Sequence, residues 1–212
     1  MLKKIIITLD GPAASGKERI AKYISKKYNL KHLDSGILYR RLALILINKK
    51  ANLSKEKILK KILREIKKIS YRKHKSLRSE RISNASSKIA VYKFIRNYIN
   101  NIQRKFVKND KKYKGFVVDG RDIGSVVFKN ADLKLYISVN ERIRAERRYK
   151  QLIDSGEQSI YPKILKDIKL RDKKDKNRTN SPLVVPKGAF VINNNKSFKV
   201  TKNQIDKLFN RI

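Results

Sequence analysis

The sequence has no cysteine, no tryptophan and only 18 acidic residues, against 55 basic ones. Without cysteine there is no disulfide framework and no thiolate metal site. No apolar run reaches the roughly 18–20 residues that a membrane helix requires. The apolar run after the N-terminal MLKK is too short for the core of a signal peptide, and no small-residue cleavage site follows it. We therefore expect a cytoplasmic protein with no membrane partner.

The scarcity of acidic residues gives the 212-residue chain a formal net charge of +37. This charge fits either a polyanionic partner or a coding bias toward Lys, Ile and Asn. The bias is favoured, because the lysines are spread along the whole chain instead of forming a tail. We expect weak electrostatic binding to nucleic acid at low salt, but no specific nucleic-acid partner.

Short β-branched runs alternate with helical patterns along the chain, which is long enough for one domain with a sizeable core. The five predicted strands are KKIIITLD, LKHLD, GFVVDG, LKLYISV and AFVIN. The alternation predicts an α/β fold of three layers, with a five-stranded parallel sheet flanked by helices. The segment from SERIS to QRKF is predicted to be largely helical, and Ser54 and Thr201 are predicted to cap helices.

Three glycine-containing segments follow predicted strands directly: DGPAASGK, DSG and DGRDIG. Ligands of parallel α/β sheets bind at the carboxyl ends of the strands. We therefore expect these segments to meet at one ligand site.

The first of these segments has the spacing G-x-x-x-x-G-K of a phosphate-binding loop. Glycines let the backbone turn its N–H groups inward, the following helix adds its positive end, and the lysine ammonium reaches the β and γ phosphates. The alternative is a strand-to-helix turn with an incidental lysine. The predicted loop consists of Gly11, Pro12, Ala13, Ala14, Ser15, Gly16 and Lys17.

Five segments occur in an order typical of one family: ITLDGPAASGK, HLDSGILYRRLAL, NASSKIA with a following IR, VVDGRDIGSVVF and RDKKDKNRTNSPL. Together they resemble the bacterial cytidylate kinases, P-loop enzymes that transfer the γ-phosphoryl group of ATP to CMP or dCMP in pyrimidine nucleotide metabolism. The resemblance runs from Ile5 to about Pro186. It implies a monomeric (d)CMP kinase that uses ATP as donor and Mg²⁺ carried on the nucleotide. His32 and His74 show no metal-ligand spacing, and we predict no metal site built from protein ligands.

The resemblance also implies a single kinase domain over residues 1–212, with an acceptor-nucleotide insert at about 49–100 and a lid at about 148–182. The stretch before LRSE is short, so we expect a reduced, helical insert. The family's usual proline in this region is replaced by Lys93.

On the donor side, the resemblance places ATP on the phosphate loop and two lid arginines, Arg147 and Arg148, over it. Lys17 would neutralise charge on the transferring group.

The chain departs from the family immediately after this lysine, where Glu18 and Arg19 replace Gly-Thr. Glu18 could compete with phosphate for the helix N-terminus or reach the water around Mg²⁺, while Arg19 could add positive charge toward ATP; a pair turned to solvent would be neutral. We expect weakened but surviving ATP binding.

On the acceptor side, the resemblance assigns residues to the monophosphate, the ribose and the cytosine edge, the last through Ser87 and Arg96. The candidate acceptor-binding residues are Ser35, Tyr39, Arg40, Arg78, Ser87, Arg96, Arg121, Asp122, Arg171, Asp175 and Arg178. The candidate catalytic residues are Lys17, Arg121, Asp122 and Arg171.

Plainer interpretations stay open for several of these residues. Tyr39 could pack in a core, Asp34 could cap a helix, and Arg121 with Asp122 could close a turn. The segment containing Arg171 could be a solvated charge run, although its three candidate residues share one face if it is helical. Two other functions also stay open: a basic nucleic-acid-binding protein that has lost catalysis, or a kinase of another monophosphate such as UMP.

Overall fold

The computed structural model describes residues 4–72, 74–154 and 156–209. The strands are β1 (Ile5–Asp10), β2 (Lys31–Asp34), β3 (Gly115–Asp119), β4 (Leu133–Ser138) and β5 (Phe190–Asn193). The helices are α1 (Lys17–Lys27), α2 (Ser35–Asn48), α3 (Glu56–Glu65), α4 (Glu80–Ile89), α5 (Lys93–Asn109), α6 (Glu141–Asp154), α7 (Tyr161–Asn177) and α8 (Phe198–Phe209). A 3₁₀ turn spans Lys75–Arg78 and a π turn spans Ile123–Val127.

The strands form one five-stranded sheet in the order β2-β3-β1-β4-β5. β1 pairs in parallel with β3 and with β4, and β4 pairs in parallel with β5. In this register Leu9 lies opposite Asp119 on one side and Leu135 on the other. The carboxyl ends of β1, β3 and β4 therefore share one edge, where ligands of such sheets bind. The predicted five-stranded α/β fold is confirmed.

The chain divides into two compact units, the first consisting of Met1–His32 and Tyr113–Ile212 and the second of Leu33–Lys112. The acceptor insert predicted at 49–100 falls inside the second unit.

The core of the first unit is built on the central strands. Residues 7–10 of β1 and all residues of β3 are buried without alternation, as is typical of parallel strands covered on both faces. Ile20 and Ile24 of α1 are fully buried in the same cluster as Leu9 and Val117. This packing fixes the start of α1 against the carboxyl end of β1, which positions the loop between them.

The core of the second unit is formed by its helices. Leu38, Leu42 and Leu46 of α2 lie on one face of that helix and are fully buried. Asp34 begins α2 as its N-cap, because its Oδ1 accepts a hydrogen bond from the Ile37 amide at 3.2 Å. The helix-capping interpretation of Asp34 is therefore confirmed.

Two other cap predictions are wrong. Helix α3 begins at Glu56 with Lys55 at its N-cap and no side-chain cap, so Ser54 lies outside it. Helix α8 begins at Phe198, and Thr201 lies inside it with a buried hydroxyl that bonds to Asn194. Both errors arise because capping residues also make tertiary contacts and turns, which sequence spacing does not distinguish.

The segment from SERIS to QRKF, which is predicted to be largely helical, forms two helices, α4 and α5, separated by residues 90–92. Lys93, at the position of the family's usual proline, is the first residue of α5. Across residues 4–72, 74–154 and 156–209, none of the helices combines the length and apolarity needed to cross a bilayer.

Candidate active site

The loop between β1 and α1 has a backbone that requires glycine at both ends. Gly11 has φ +150°, and a Cβ at this position would lie 2.5 Å from the carbonyl oxygen of Ile137. Gly16 has φ +83° and precedes the first residue of α1, Lys17. Both conformations are accessible to glycine and strained for other residues.

The ammonium group of Lys17 lies in the interior of this loop. Its Nζ donates to the carbonyl oxygens of Gly11 at 2.8 Å and Pro12 at 2.7 Å, and to Oγ of Ser15 at 3.0 Å. Burial lowers the pKa of Lys17 well below its ordinary value, and the nearby Arg121 lowers it further. A cation in this environment is stabilised by additional negative charge, which is what nucleotide phosphates supply.

Three carboxylates oppose this effect on the pKa of Lys17; they belong to Asp119, Asp10 and Asp175. Asp10 ends β1 and Asp119 ends β3, so both lie at the carboxyl edge of the sheet. The edge therefore carries a lysine, an arginine and several buried carboxylates within electrostatic range of one another.

Asp10 anchors the π turn Ile123–Val127. Its Oδ1 accepts from the Ile123 amide and its Oδ2 from the Gly124 amide, each at 2.7 Å. Burial raises the pKa of Asp10 to about 6, although these two hydrogen bonds lower it, and Asp122 adds to the rise. Asp10 therefore joins the end of β1 to the DGRDIG segment.

The candidate residue Asp122 is buried and precedes the π turn. Its carbonyl oxygen accepts from the amides of Val126 and Val127 at 2.9 and 3.2 Å. Asp119 contacts His32, whose Nε2 lies 2.6 Å from its Oδ1. No pattern in the sequence predicts this contact of His32.

An arginine cluster surrounds Asp175, near the C-terminal end of α7. Arg121 Nε donates to Asp175 Oδ2 at 3.0 Å, and one terminal nitrogen of Arg178 lies 3.4 Å from Oδ1. Burial raises the pKa of Asp175, but Arg121, Arg171 and Arg178 outweigh it, so the net shift is downward. Arg178 also donates through Nε to the carbonyl oxygen of Ser181. These four residues form one charged group. The shared helix face applies to Arg171 and Asp175, whereas Arg178 follows the end of α7.

The helices α6 and α7 are joined by a bidentate ion pair that the sequence analysis did not predict. The two terminal nitrogens of Arg144 lie 3.0 and 2.5 Å from the two carboxylate oxygens of Asp172. Arg144 also donates to the carbonyl oxygen of Ala13 at 3.2 Å, so this ion pair contacts the phosphate loop. Nothing in the sequence distinguishes Arg144 from the many other basic residues.

The predicted lid arginines lie on α6. Arg147 donates to the carbonyl oxygen of Asn194 at 2.8 Å, and its pKa is lowered by burial and by the positive charge of Arg19. Arg148 is half-buried.

The two departures from the family, Glu18 and Arg19, each contact a side chain outside the phosphate loop. Glu18 pairs with Lys22 one helical turn later, at 3.1 Å. The guanidinium of Arg19 lies over the ring of Phe198, 4.0 Å from its centroid. Arg19 is nevertheless close enough to Arg147 to affect its pKa.

In the second unit, Arg40 pairs with Asp34 at 3.2 Å and Ser35 is buried at the first position of α2. The guanidinium of Arg96 lies 5.8 Å from the centroid of the Tyr39 ring. The structure therefore brings Arg40 close to Asp34, and Arg96 close to Tyr39.

Arg96 is buried, and its Nε donates to the carbonyl oxygen of Ala90 at 2.7 Å, across the break between α4 and α5. Ser87 on α4 is partly buried. Arg78 ends the 3₁₀ turn, and its side chain lies outside the described part of the structure.

The strand–loop–helix arrangement, the buried loop lysine and the charged strand ends define a phosphotransferase of the P-loop class. The cytidylate kinase family model matches residues 7–211. The chain belongs to the cytidylate kinase family.

Its curated relatives carry the same name. A cytidylate kinase of Rickettsia akari is 40% identical over 190 residues, which are 90% of this chain and 84% of the relative. One of Rickettsia africae is 42% identical over the same shares of both chains. One of Bartonella henselae is 39% identical over 191 residues, which are 90% of this chain and 87% of the relative.

Two solved structures share the fold. TT1252 from Thermus thermophilus superposes with a TM-score of 0.51 at 13% identity, covering 99% of this chain and 98% of its own. A shikimate kinase from Bacteroides thetaiotaomicron has a TM-score of 0.51 at 10% identity, covering 97% and 98%. At these identities the similarity supports the α/β fold alone.

Proposed function

We propose that this enzyme transfers the γ-phosphoryl group of ATP to CMP or dCMP, giving ADP and CDP or dCDP. The observation that carries the proposal is the position of Lys17 at the carboxyl edge of the sheet, within electrostatic range of Arg121, Asp10, Asp119 and Asp175. The family membership and the relatives' names support cytidine monophosphates as acceptors.

On the donor side, the phosphate loop would hold the phosphates through its backbone N–H groups and the N-terminus of α1. The Nζ of Lys17 would exchange its contacts with Gly11 and Pro12 for phosphate oxygens, because charged partners bind an ammonium more strongly than carbonyls do. Arg147, with Arg148 on the same helix, would contact ATP from α6.

On the acceptor side, Arg121 and Arg171 would bind phosphate, Asp175 would face the ribose and Arg178 the base. The carboxylate of Asp175 would also hold the three arginines near one another. In the second unit, Ser35, Tyr39 and Arg40 would contact the nucleotide. In the same unit, Ser87 and Arg96 would read the cytosine edge, and Arg78 would be a further contact to the acceptor. These assignments follow the resemblance residue by residue.

In the reaction, a phosphate oxygen of CMP would attack the γ-phosphorus, and the bond from that phosphorus to the β–γ bridging oxygen would break. Such transfers need little covalent chemistry from the protein, since positioning and charge neutralisation lower the barrier. Lys17 and Arg121 would neutralise the negative charge that spreads over the transferring oxygens. Asp122, buried beside them, would help to position the acceptor.

Mg²⁺ would enter with the nucleotide, and the residues present fit this use. Mg²⁺ prefers carboxylate, phosphate and water oxygens, and it is usually bound by one or two carboxylates together with substrate phosphates. Asp10 and Asp122 are both buried, and Asp122 is close enough to raise the pKa of Asp10. They would hold the water shell of the ion, which would supply positive charge to the phosphates.

A cytoplasmic location and a monomeric state remain predictions from the sequence.

A coupled assay of ADP release with a panel of acceptors tests the proposal. ATP and Mg²⁺ are incubated with CMP, dCMP, UMP, AMP or RNA in turn. We expect ADP release with CMP and dCMP, and little with UMP or AMP. Faster turnover of UMP would identify a kinase of another monophosphate, and salt-sensitive RNA binding without turnover would identify a nucleic-acid-binding protein.

A further inference from the structure

The connection between β5 and α8 reaches the phosphate loop through one residue, Asn194. This residue is 5% exposed, and its Nδ2 donates to the carbonyl oxygen of Ser15 at 2.8 Å. The same Nδ2 lies 2.7 Å from the point where a Cβ on Gly16 would stand. Asn194 therefore packs directly against the peptide that joins Ser15 to Gly16.

This contact fixes the direction of the Ser15–Gly16 peptide group of the phosphate loop. A trans peptide is planar, and its C=O and N–H point in opposite directions. Because the Ser15 carbonyl points toward Asn194, the Gly16 N–H points away from it. In the interior of the loop, Lys17 Nζ meets the carbonyl oxygens of Gly11 and Pro12 and the Ser15 hydroxyl, and Asn194 bonds to none of these atoms. Holding the carbonyl thus presents an N–H to an anion in the loop.

The orientation of the Asn194 side chain is itself fixed. A carbonyl can only accept a hydrogen bond, so the amide nitrogen must face Ser15. The amide oxygen then faces Thr201, which is fully buried and whose Oγ1 donates to it at 2.7 Å. The backbone N–H of Asn194 donates to the carbonyl oxygen of Ser138 at 3.0 Å, which fixes Asn194 to the end of β4.

Thr201 is held in place by the packing of α8 on α1. Phe198 lies under the guanidinium of Arg19 and meets the Tyr23 ring edge-on, at 6.0 Å between centroids. Asp206 accepts from the Tyr23 hydroxyl at 2.7 Å and pairs with Lys27 at 2.8 Å. Helix α8 is therefore fixed to the helix that begins at the phosphate loop.

Asn194 also contacts Arg147, one of the two arginines predicted to lie over ATP. Its backbone carbonyl accepts the hydrogen bond from Arg147 at 2.8 Å. One residue thus contacts the loop through its side chain and a candidate ATP-binding arginine through its backbone.

We propose that Asn194, oriented by Thr201, is a positioning residue that holds the Ser15–Gly16 peptide with its N–H toward the donor phosphates. This inference rests on the proposed function, since it assumes that the loop binds ATP. Its effect falls on the donor, because neither side chain belongs to the candidate acceptor residues.

The test compares Asn194→Ala and Thr201→Val with two further variants. Thr201→Ser keeps the hydroxyl. Gln204→Ala is the matched control: Gln204 bonds to the backbone of Asn193 through both amide atoms, at 3.2 and 2.8 Å, so it supports the same connection without contacting the loop. For each variant we would measure ATP binding by calorimetry without an acceptor, KM for ATP and for CMP, kcat, and the Tm.

We expect Asn194→Ala to weaken ATP binding and raise KM for ATP about tenfold, with KM for CMP within about twofold of the parent. Thr201→Val should shift ATP binding in the same direction by a smaller factor, and Thr201→Ser should restore it. Gln204→Ala should lower the Tm without changing ATP binding. If Asn194→Ala does not fold, Thr201→Val alone decides.

The inference is overturned if Thr201→Val and Asn194→Ala bind ATP as the parent does, or if Gln204→Ala weakens ATP binding as much as they do. Parent protein that binds ATP but does not phosphorylate CMP would contradict the proposed function instead. In that case the binding comparison still decides the role of Asn194.

Discussion

Arg121 and Asp175 form an ion pair at 3.0 Å although 54 residues separate them in the chain. Arg121 comes directly after β3 and Asp175 lies in the last turn of α7. The carboxylate is also influenced by Arg171 and Arg178, and together the three guanidiniums lower its pKa despite burial. Asp175 therefore holds three like charges close together.

Replacing Asp175 by Asn should impair use of the acceptor. Without the carboxylate the three arginines repel one another and lose their fixed positions, so we expect KM for CMP to rise about tenfold. Asp167→Asn, an exposed change on the same helix, is the control and should match the parent. The measurement is steady-state kinetics with CMP varied at saturating ATP. An unchanged KM for CMP in Asp175→Asn would count against an acceptor role for this cluster.

The ion pair between Arg144 and Asp172 should stabilise the protein. The Arg144 side chain is 4% exposed and its partner 14% exposed. Replacing Arg144 by Met leaves a buried carboxylate without its partner, so we expect the free energy of unfolding to fall by about 3 kcal/mol. Chemical denaturation measures this change.

The control for Arg144→Met removes a second ion pair between α6 and α7, one that lies at the surface. Lys169 pairs with Glu141 at 3.1 Å, and both side chains are well exposed. Lys169→Met should lower the free energy of unfolding by less than about 0.5 kcal/mol. Equal losses in the two variants would show that burial of the Arg144 pair contributes nothing.

Asp10 should make the stability depend on pH. Its pKa of about 6 in the folded protein exceeds the ordinary 3.8, so between these values the folded state binds a proton that the unfolded state has released. The contribution of Asp10 to stability is therefore largest at low pH and falls as pH rises through 6. This is the opposite of a carboxylate whose pKa is lowered by an ion pair.

Denaturation of the parent and Asp10→Asn at pH 4 and pH 7 tests this dependence. The free energy of unfolding of the parent minus that of Asp10→Asn should be smaller at pH 7 than at pH 4. Asp154→Asn, at an exposed position, controls for the general effect of removing a carboxylate. A difference that stays constant or grows between pH 4 and pH 7 would refute the raised pKa.

Restoring the family residues after Lys17 should strengthen ATP binding. In the double variant Glu18→Gly/Arg19→Thr, the helix N-terminus loses a competing carboxylate and regains a hydroxyl, so we expect KM for ATP to fall several-fold. The loss of the Arg19–Phe198 contact should cost about 1 kcal/mol of stability. Kinetics with ATP varied measures the first effect, and an unchanged KM for ATP would remove the hypothesis that these residues weaken donor binding.

The strands, the phosphate loop and the charged face of α7 could be predicted because each depends on local pattern or spacing. The role of Thr201 could not be predicted, since it lies inside α8 and its hydroxyl bonds to Asn194, a partner that is set by tertiary packing. Asp10 ends one predicted strand and Asp119 is the last residue but one of another, so the sequence does place both at the carboxyl edge of the sheet. Arg144 had no such signal, because a strongly basic chain offers many similar arginines.

The most direct test of the account is whether Lys17 supports CMP-dependent phosphoryl transfer. The parent, Lys17→Met and the exposed control Lys26→Met on the same helix are each incubated with ATP, Mg²⁺ and CMP, and ADP and CDP are quantified by chromatography. We expect equal amounts of ADP and CDP from the parent and from Lys26→Met, and a rate at least about a hundredfold lower from Lys17→Met. ADP formed without CDP, or equal rates from all three proteins, would contradict the account.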